Sequence, residues 1–350
     1  MCPRCGHQLV AHRRNGVEYA YAFAVSGLLF LILSLLFDFL SFRASGQQNA
    51  MDLPAALLTL SDNDYTSLAI IMALGTLVLP GLTLLGIAVF QHLRLFAKPS
   101  KFAANTLLWI KRLMPWSMAE IFLVGTLVSL IKITSLADVY FGLSFYAYIA
   151  FTICFACAML YFERVDAEWW LGDIEAGYEI PLDSKQANIS VQRTWALLFT
   201  AALLYIPANT LPIMNTTLLG SNEPSTIVGG VRTLWESGSY PVASIIFIAS
   251  IVVPVAKLFA LAWLNYSVQY QHVTNQRLRA FSYRVTELIG RWSMIDVFVV
   301  AILVALIQLG NTMSIYPGPA VLAFCAVVFI TMIAAMTFDS RLIWYEFDDE

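Results

Sequence analysis

Apolar residues along this chain gather into eight stretches, each close to the ~20 mostly apolar residues that a membrane-crossing helix needs. They run over Ala20–Leu40, Leu68–Phe90, Met114–Leu136, Val139–Tyr161, Trp195–Met214, Val242–Leu264, Trp292–Leu309 and Val321–Phe338. The third and seventh carry an acid near their start, Glu120 and Asp296. Polar residues fill the connections, two of which are long: Ser41–Ser67 and Asn215–Pro241. Each long connection holds a short apolar stretch, Leu53–Leu60 and Thr226–Trp235, predicted to lie along the membrane interface or over the bundle as a plain loop helix.

The pattern repeats. Pro115–Lys132 and Arg291–Gln308 are identical at nine of eighteen positions, with Glu120 matching Asp296. Pro80 answers Pro254, Thr59-Leu60 answers Thr233-Leu234, and Phe162-Glu163 answers Phe338-Asp339. Four spans per unit is an even number, so both units insert the same way up, as parallel repeats about an axis along the membrane normal. The expected fold is an all-α integral membrane protein with eight transmembrane helices in two parallel four-helix (tetraspan) repeats. Its parts are a partial zinc-ribbon-like start (1–16), an N-terminal unit (17–162), an acidic linker (163–193), a C-terminal unit (194–339) and an acidic tail (340–350).

Charge sets the orientation. Of the twenty Lys and Arg, all but Arg43, Arg232, Lys132 and Lys257 lie in or beside segments that are cytoplasmic when the N-terminus is inside. Basic residues favour the cytoplasmic side, so both termini are expected there. Composition agrees: 59% of residues are hydrophobic and 12% charged, against about 45–50% and about 25% in soluble domains. That balance excludes a soluble enzyme and a disordered chain, and a net charge of −3 gives no basic surface for nucleic acid.

Ionisable groups inside spans are the first functional candidates, because the bilayer penalises them. Lys257 lies about seven residues from the cytoplasmic end of the sixth span, and Asp296 a similar distance inside the seventh. At about 1.5 Å per residue both sit roughly 6–12 Å inside the inner boundary and are expected to pair. A structural salt bridge and a protonatable transport couple both fit. Ser293, Thr286 and Ser250 are the polar residues placed to satisfy or relay such a couple. In the repeat Thr83 takes the place of Lys257, so Glu120 lacks the base that its counterpart has. In the fifth span, I-P-A-N-T-L-P brackets Asn209 with Pro207 and Pro212. This reads as a broken helix lining a cavity or as a packing kink, with Asn209 serving the carbonyls that proline frees.

Other chemistry is sparse. No P-loop, H-E-x-x-H or G-x-S-x-G occurs, and His7, His12, His92 and His272 all fall on the cytoplasmic side, so no nucleotide, haem or flavin is expected. Cys154, Cys157 and Cys325 read as apolar packing. Cys2 and Cys5, in C-P-R-C-G, form half of a zinc site. Tetrahedral zinc takes four ligands, so either His7 and His12 complete it or the other half is not in this chain. The segment before the first span does not read as a cleavable leader.

The motifs I-P-A-N-T-L-P-I-M, G-S-Y-P-V-A, I-G-R-W-S-M-I-D-V-F-V, M-S-I-Y-P and M-T-F-D-S-R-L-I-W closely resemble the paraquat-inducible protein A family of PqiA/LetA-type inner-membrane proteins. The resemblance implies a multi-pass protein of the Gram-negative inner membrane. Its implied partner is a periplasmic MCE-domain protein of the PqiB/LetB kind, forming a tunnel to the outer membrane. Its implied task is moving phospholipid between the membranes to maintain the outer-membrane barrier, with uptake from the outer leaflet of the inner membrane. Family members usually carry two cytoplasmic zinc ribbons; here the first is reduced to Cys2 and Cys5, and Leu171–Arg193 has no cysteine. Asp38 and Leu35 stand where the C-terminal unit has Pro212 and Asn209, which points to a scaffolding N-terminal unit. A non-enzymatic transport subunit is thus the leading expectation. A non-transporting anchor or assembly factor for the MCE partner comes second, a membrane redox protein third, and small-solute export is weaker still.

Overall fold

Backbone amides inside a bilayer must bond within their own segment, so long apolar runs fold as helices. The computed structural model describes residues 15–44, 47–62, 66–133, 138–172, 184–218, 221–236, 238, 240–269, 279, 281–283, 285–286, 295–306, 313–338 and 342. The chain divides into two units, Met1–Tyr178 and Glu179–Glu350. Among the described residues, seven helices are long and apolar enough to cross a membrane.

The N-terminal unit opens with α1 (Gly16–Leu36). A hairpin of β1 (Leu40–Ala44) and β2 (Gln47–Met51) follows, and then the short helix α2 (Leu53–Asp62). The second crossing comprises α3 (Thr66–Ala73), a π-helical turn at Leu74–Val78 and α4 (Leu79–Phe96). Next comes α5 (Lys101–Leu113), whose N-terminus is capped by Ser100: its hydroxyl accepts from the Ala103 N–H at 3.3 Å. A 3₁₀ turn at Met114–Trp116, containing Pro115, separates it from α6 (Ala119–Ile133). β3 (Asp138–Phe141), α7 (Leu143–Tyr161) and α8 (Arg164–Leu171) complete the unit. α7 packs along α1, which also lies against α4.

The C-terminal unit runs through the same kinds of element in the same order. They are α9 (Ser184–Thr210), β4 (Met214–Leu218), β5 (Ser221–Ser225) and α10 (Ile227–Glu236). Then come α11 (Tyr240–Phe247), a π-helical turn at Ile248–Val252 and α12 (Val253–Gln269). α13 (Ile295–Leu306), β6 (Met313–Pro317) and α14 (Pro319–Thr337) finish it. α14 packs along α9, as α7 does along α1.

The membrane-length elements are helical as expected, and short strands add to them. Each unit carries a three-stranded antiparallel sheet, in the orders β2-β1-β3 and β5-β4-β6. Leu40 faces Met51 on one side and Phe141 on the other; Met214 likewise faces Ser225 and Pro317. The strands are short, and only two residues separate the strands of each hairpin, Ser45-Gly46 and Leu219-Gly220, the commonest hairpin spacing. The expected apolar stretches of the long connections fold as α2 and α10.

Span boundaries also shift. The third span was expected from Met114, but Pro115 lacks an N–H and α6 starts only at Ala119. Of the expected seventh span, Ile295–Leu306 is described. The first part of the acidic linker is tied to the N-terminal unit rather than free. Asp166 accepts from Arg94 and Glu168 pairs with Lys111, both at 2.6 Å.

One backbone approach recurs where a strand hands over to the last helix. The Gly142 N–H donates to the Phe39 carbonyl at 3.1 Å, and the Gly318 N–H to the Ile213 carbonyl at 2.8 Å. A β-carbon on Gly142 would overlap the carbonyl of Asp38, and one on Gly318 that of Pro212. Close approach, rather than an unusual φ, requires glycine at both places.

Candidate functional site

The π-turn in the second crossing of each unit exposes backbone groups that a regular helix would use, and a proline follows two residues after it. Pro80 has no N–H, so the carbonyl of Thr76 loses its helical donor. In the N-terminal unit the Tyr148 hydroxyl of α7 donates to that carbonyl at 3.2 Å. The Gly75 carbonyl accepts the Met118 N–H from the start of α6 at 2.9 Å. Beside them the hydroxyls of Thr83 and Ser117 meet at 3.0 Å, both fully buried. The junction of three spans is therefore closed by neutral hydrogen bonds. Removing one such bond is worth about 1 kcal/mol, so Tyr148→Phe should lower the stability of this unit by about that amount in thermal unfolding of detergent-solubilised protein.

The C-terminal unit has different residues at the matching sequence positions. From the first strands to the helices after the π-turns the two units match at an offset of 174 residues, Leu74–Val78 with Ile248–Val252 for example, and α7 matches α14 at an offset of 176. Thr83 then becomes Lys257, Ser117 becomes Ser293, and Tyr148 becomes Phe324, which has no hydroxyl for the carbonyl of Ser250. Lys257 is 3% exposed, and among the described residues its Nζ has no hydrogen-bond partner. An ammonium buried in a span is heavily penalised, which keeps Lys257 a candidate functional residue. Ser250 is buried within the π-turn, and α13 packs against that turn.

The other expected residues separate into two groups. Asp296 is the second residue of α13, which brings its backbone to the end of the helix that packs on the π-turn; its side chain lies outside the described residues. Ser293, Cys2 and Cys5 lie outside them altogether. Thr286 is buried, and its hydroxyl donates to the Ser282 carbonyl at 2.8 Å. The Asn209 Nδ2 donates to the Tyr205 carbonyl at 2.9 Å, one turn back, and α9 continues through Pro207 to Thr210. The kink reading fits this better than a broken helix. Glu120 is half-buried at the start of α6. Cys154 and Cys157 are free thiols on α7.

Sequence reasoning missed several buried polar groups. Thr83 and Ser117 were visible as the repeat mates of Lys257 and Ser293, but nothing in their spacing announces a bond between two different spans. Asn265 is fully buried and donates to the Val191 carbonyl at 3.1 Å, tying α12 to α9. Outside the spans, Asp52 is held above its usual 3.8 by burial first, then by a hydrogen bond to Asp38 and by the Asp38 charge. A raised folded pKa favours the folded state at low pH, and that stabilisation is lost as pH rises through it. Relative to Asp52→Asn, the natural protein should therefore gain melting temperature as pH falls toward 4.

The model of the family described as "Paraquat-inducible protein A" matches residues 17–171 and 191–348. The chain is 37% identical to the intermembrane transport protein PqiA of Escherichia coli K12, covering 98% of this chain and 90% of that protein. The Shigella flexneri protein of the same name gives the same figures. Lipophilic envelope-spanning tunnel protein A of E. coli is 32% identical over 68% of this chain and 62% of its own length. No solved structure matches. A match on both units, joined to seven membrane-length apolar helices, makes this chain a multi-pass membrane protein of the paraquat-inducible protein A family.

Proposed function

We propose that this protein is the inner-membrane subunit of an MCE-type intermembrane lipid transport system. It passes phospholipid between the inner membrane and a periplasmic tunnel formed by an MCE-domain partner, and so maintains the outer-membrane barrier. The relatives' names, intermembrane transport protein and envelope-spanning tunnel protein, support transport rather than catalysis. In this reading the chain crosses the membrane eight times as two parallel four-helix repeats, with both termini in the cytoplasm. Cys2 and Cys5 supply half of a zinc site, which metal analysis of the purified protein would check.

The observation that carries the reading is Lys257. The N-terminal unit closes its junction with Thr83 and Ser117, while the C-terminal unit buries a cation at the matching place. A scaffold has no use for that difference. A unit that changes shape does, and Asp296 is the acid that answers Lys257. Ser250, Ser293 and Thr286 are the polar relays assigned to the couple in this reading.

The test begins with the protein purified in mild detergent from its own host. It is expected to bring down a periplasmic MCE-domain protein together with phospholipid, and its deletion to admit detergents that the outer membrane normally excludes. Recovery of neither partner nor lipid, with an intact barrier in the deletion strain, would overturn the proposal.

A further inference from the structure

The two units pack one pair of helices differently. In the N-terminal unit α1 lies closely along α4. A β-carbon on Gly27 would stand 2.8 Å from Leu84 Cδ1, and one on Gly81 2.9 Å from Leu31 Cδ2. Small residues of this kind let helices approach within a membrane. At the spacing that aligns the strands and π-turns, Gly27 becomes Ala201 and Gly81 becomes Val255, while Leu31 becomes Tyr205. With bulkier residues at these positions, α9 and α12 approach less closely than α1 and α4 do. Between them lies an apolar groove of about 310 Å³, with Trp195, Phe199, Tyr205, Leu258 and Phe259 in its walls.

The groove's dimensions and chemistry define its occupant. Trp195 and Tyr205 are ten residues apart on α9, about 15 Å along a helix. That is half of the ~30 Å hydrocarbon thickness, or one leaflet. At one end the Trp195 indole N–H donates to Gln269 at 3.2 Å, and Arg193 is the last charged residue of α9 before it. Tryptophan favours the membrane–water boundary, so this end meets the headgroup level. At the other end the Tyr205 hydroxyl donates to the Ile251 carbonyl at 3.5 Å. Phe199 and Phe259 stand 67% and 72% exposed on the rims.

Val255, Leu258, Phe259 and Ala262 follow one another at helical spacing along the groove face of α12. Lys257 lies on the other face of that helix, with the buried Leu261 and Leu264. One helix thus separates the charged junction from the groove.

We propose that this groove holds one acyl chain of a glycerophospholipid from the leaflet at its Trp195 end. In the topology proposed above that is the cytoplasmic leaflet, rather than the outer leaflet expected from the sequence. The inference deepens the lipid-transport reading and rests on it for the purpose of the bound lipid. It also explains why the two units differ here: the N-terminal unit closes with glycine the seam that the C-terminal unit leaves open.

The test uses the full-length protein in living cells labelled with radioactive phosphate. A diazirine side chain of leucine's size replaces Leu258, the matched and buried Leu84, or Leu85, an exposed apolar position giving ordinary bilayer contact. Leu258 is expected to capture labelled phospholipid several-fold more than Leu85, and Leu84 little. Ala202→Phe places a ring in the open groove from an exposed position and should reduce the Leu258 signal to that of Leu85; Ala262→Phe is the second filling variant. Equal capture at Leu258 and Leu85 would overturn the proposal, as would a polypeptide adduct at Leu258, which would mean that a protein segment covers the groove. Barrier assays on the filling variants separate the two claims. Capture abolished with the barrier intact would leave the groove standing and remove the transport reading.

Discussion

Lys257→Met is expected to weaken the outer-membrane barrier by about tenfold or more in a detergent-survival assay, with the loss persisting when protein levels are matched. The substitution keeps the length of the side chain and removes its charge. If Asp296 is the partner, it is left unpaired in a low-dielectric site, a loss worth about 3–5 kcal/mol when a buried pair is broken. The single variant should therefore also fall in abundance. The informative strain is Lys257→Met with Asp296→Asn, because a neutral pair is often as stable as a buried ionic one. A working couple predicts that the double variant recovers abundance in membrane fractions but not the barrier. Recovery of both would make the pair structural and favour the anchor reading. The matched change in the N-terminal unit, Thr83→Val, removes only neutral hydrogen bonds, to the Leu79 carbonyl and the Ser117 hydroxyl, and should leave the barrier nearly unaffected.

Gly318→Ala is expected to be the most damaging single methyl in the C-terminal unit. At φ −91° alanine is sterically permitted, and reduced freedom of the unfolded chain would favour it by about 0.4–1 kcal/mol. The clash decides the sign. The added carbon would overlap the carbonyl of Pro212, which also accepts the Ala320 N–H at 3.2 Å. Backbone on both sides cannot turn aside as a side chain would. We expect about 3 kcal/mol or more of destabilisation, the upper end of overpacking effects. Gly142→Ala should behave alike against Asp38, whereas Gly230→Ala, with nothing near its β-carbon, should be tolerated. Thermal aggregation of the detergent-solubilised variants would rank them, and a Gly318→Ala melting point equal to that of Gly230→Ala would refute the argument.

The helices were legible because a bilayer leaves an apolar chain no alternative. The repeat was legible because W-S-M and the two prolines survive in both units. The sheets were not: S-F-R-A and N-T-T-L are short and rich in polar residues, and gain their third strand from a segment about a hundred residues away. Lys257 stood out in the sequence because charge in a span is rare. Its uncharged counterpart, the Thr83–Ser117 bond, did not, since hydroxyls in spans usually bond to their own helix, as Thr126 does to the Phe122 carbonyl. The groove was hidden for a different reason. It arises where glycines are replaced, and a missing glycine makes no motif.

The placement of β4 between β5 and β6 sets where the C-terminal unit can deform. The three strands join the end of α9 to the start of α14 and, through α10, to α11. Parting these helix ends would break a ladder of backbone hydrogen bonds, each worth about 1 kcal/mol, in one event. The sheet is thus a clasp at one face of the membrane, and the helices beneath it are free to splay only like the blades of a fan. Widening at the level of Lys257 is therefore expected to grow away from the sheet, toward the other end of α9 and α12.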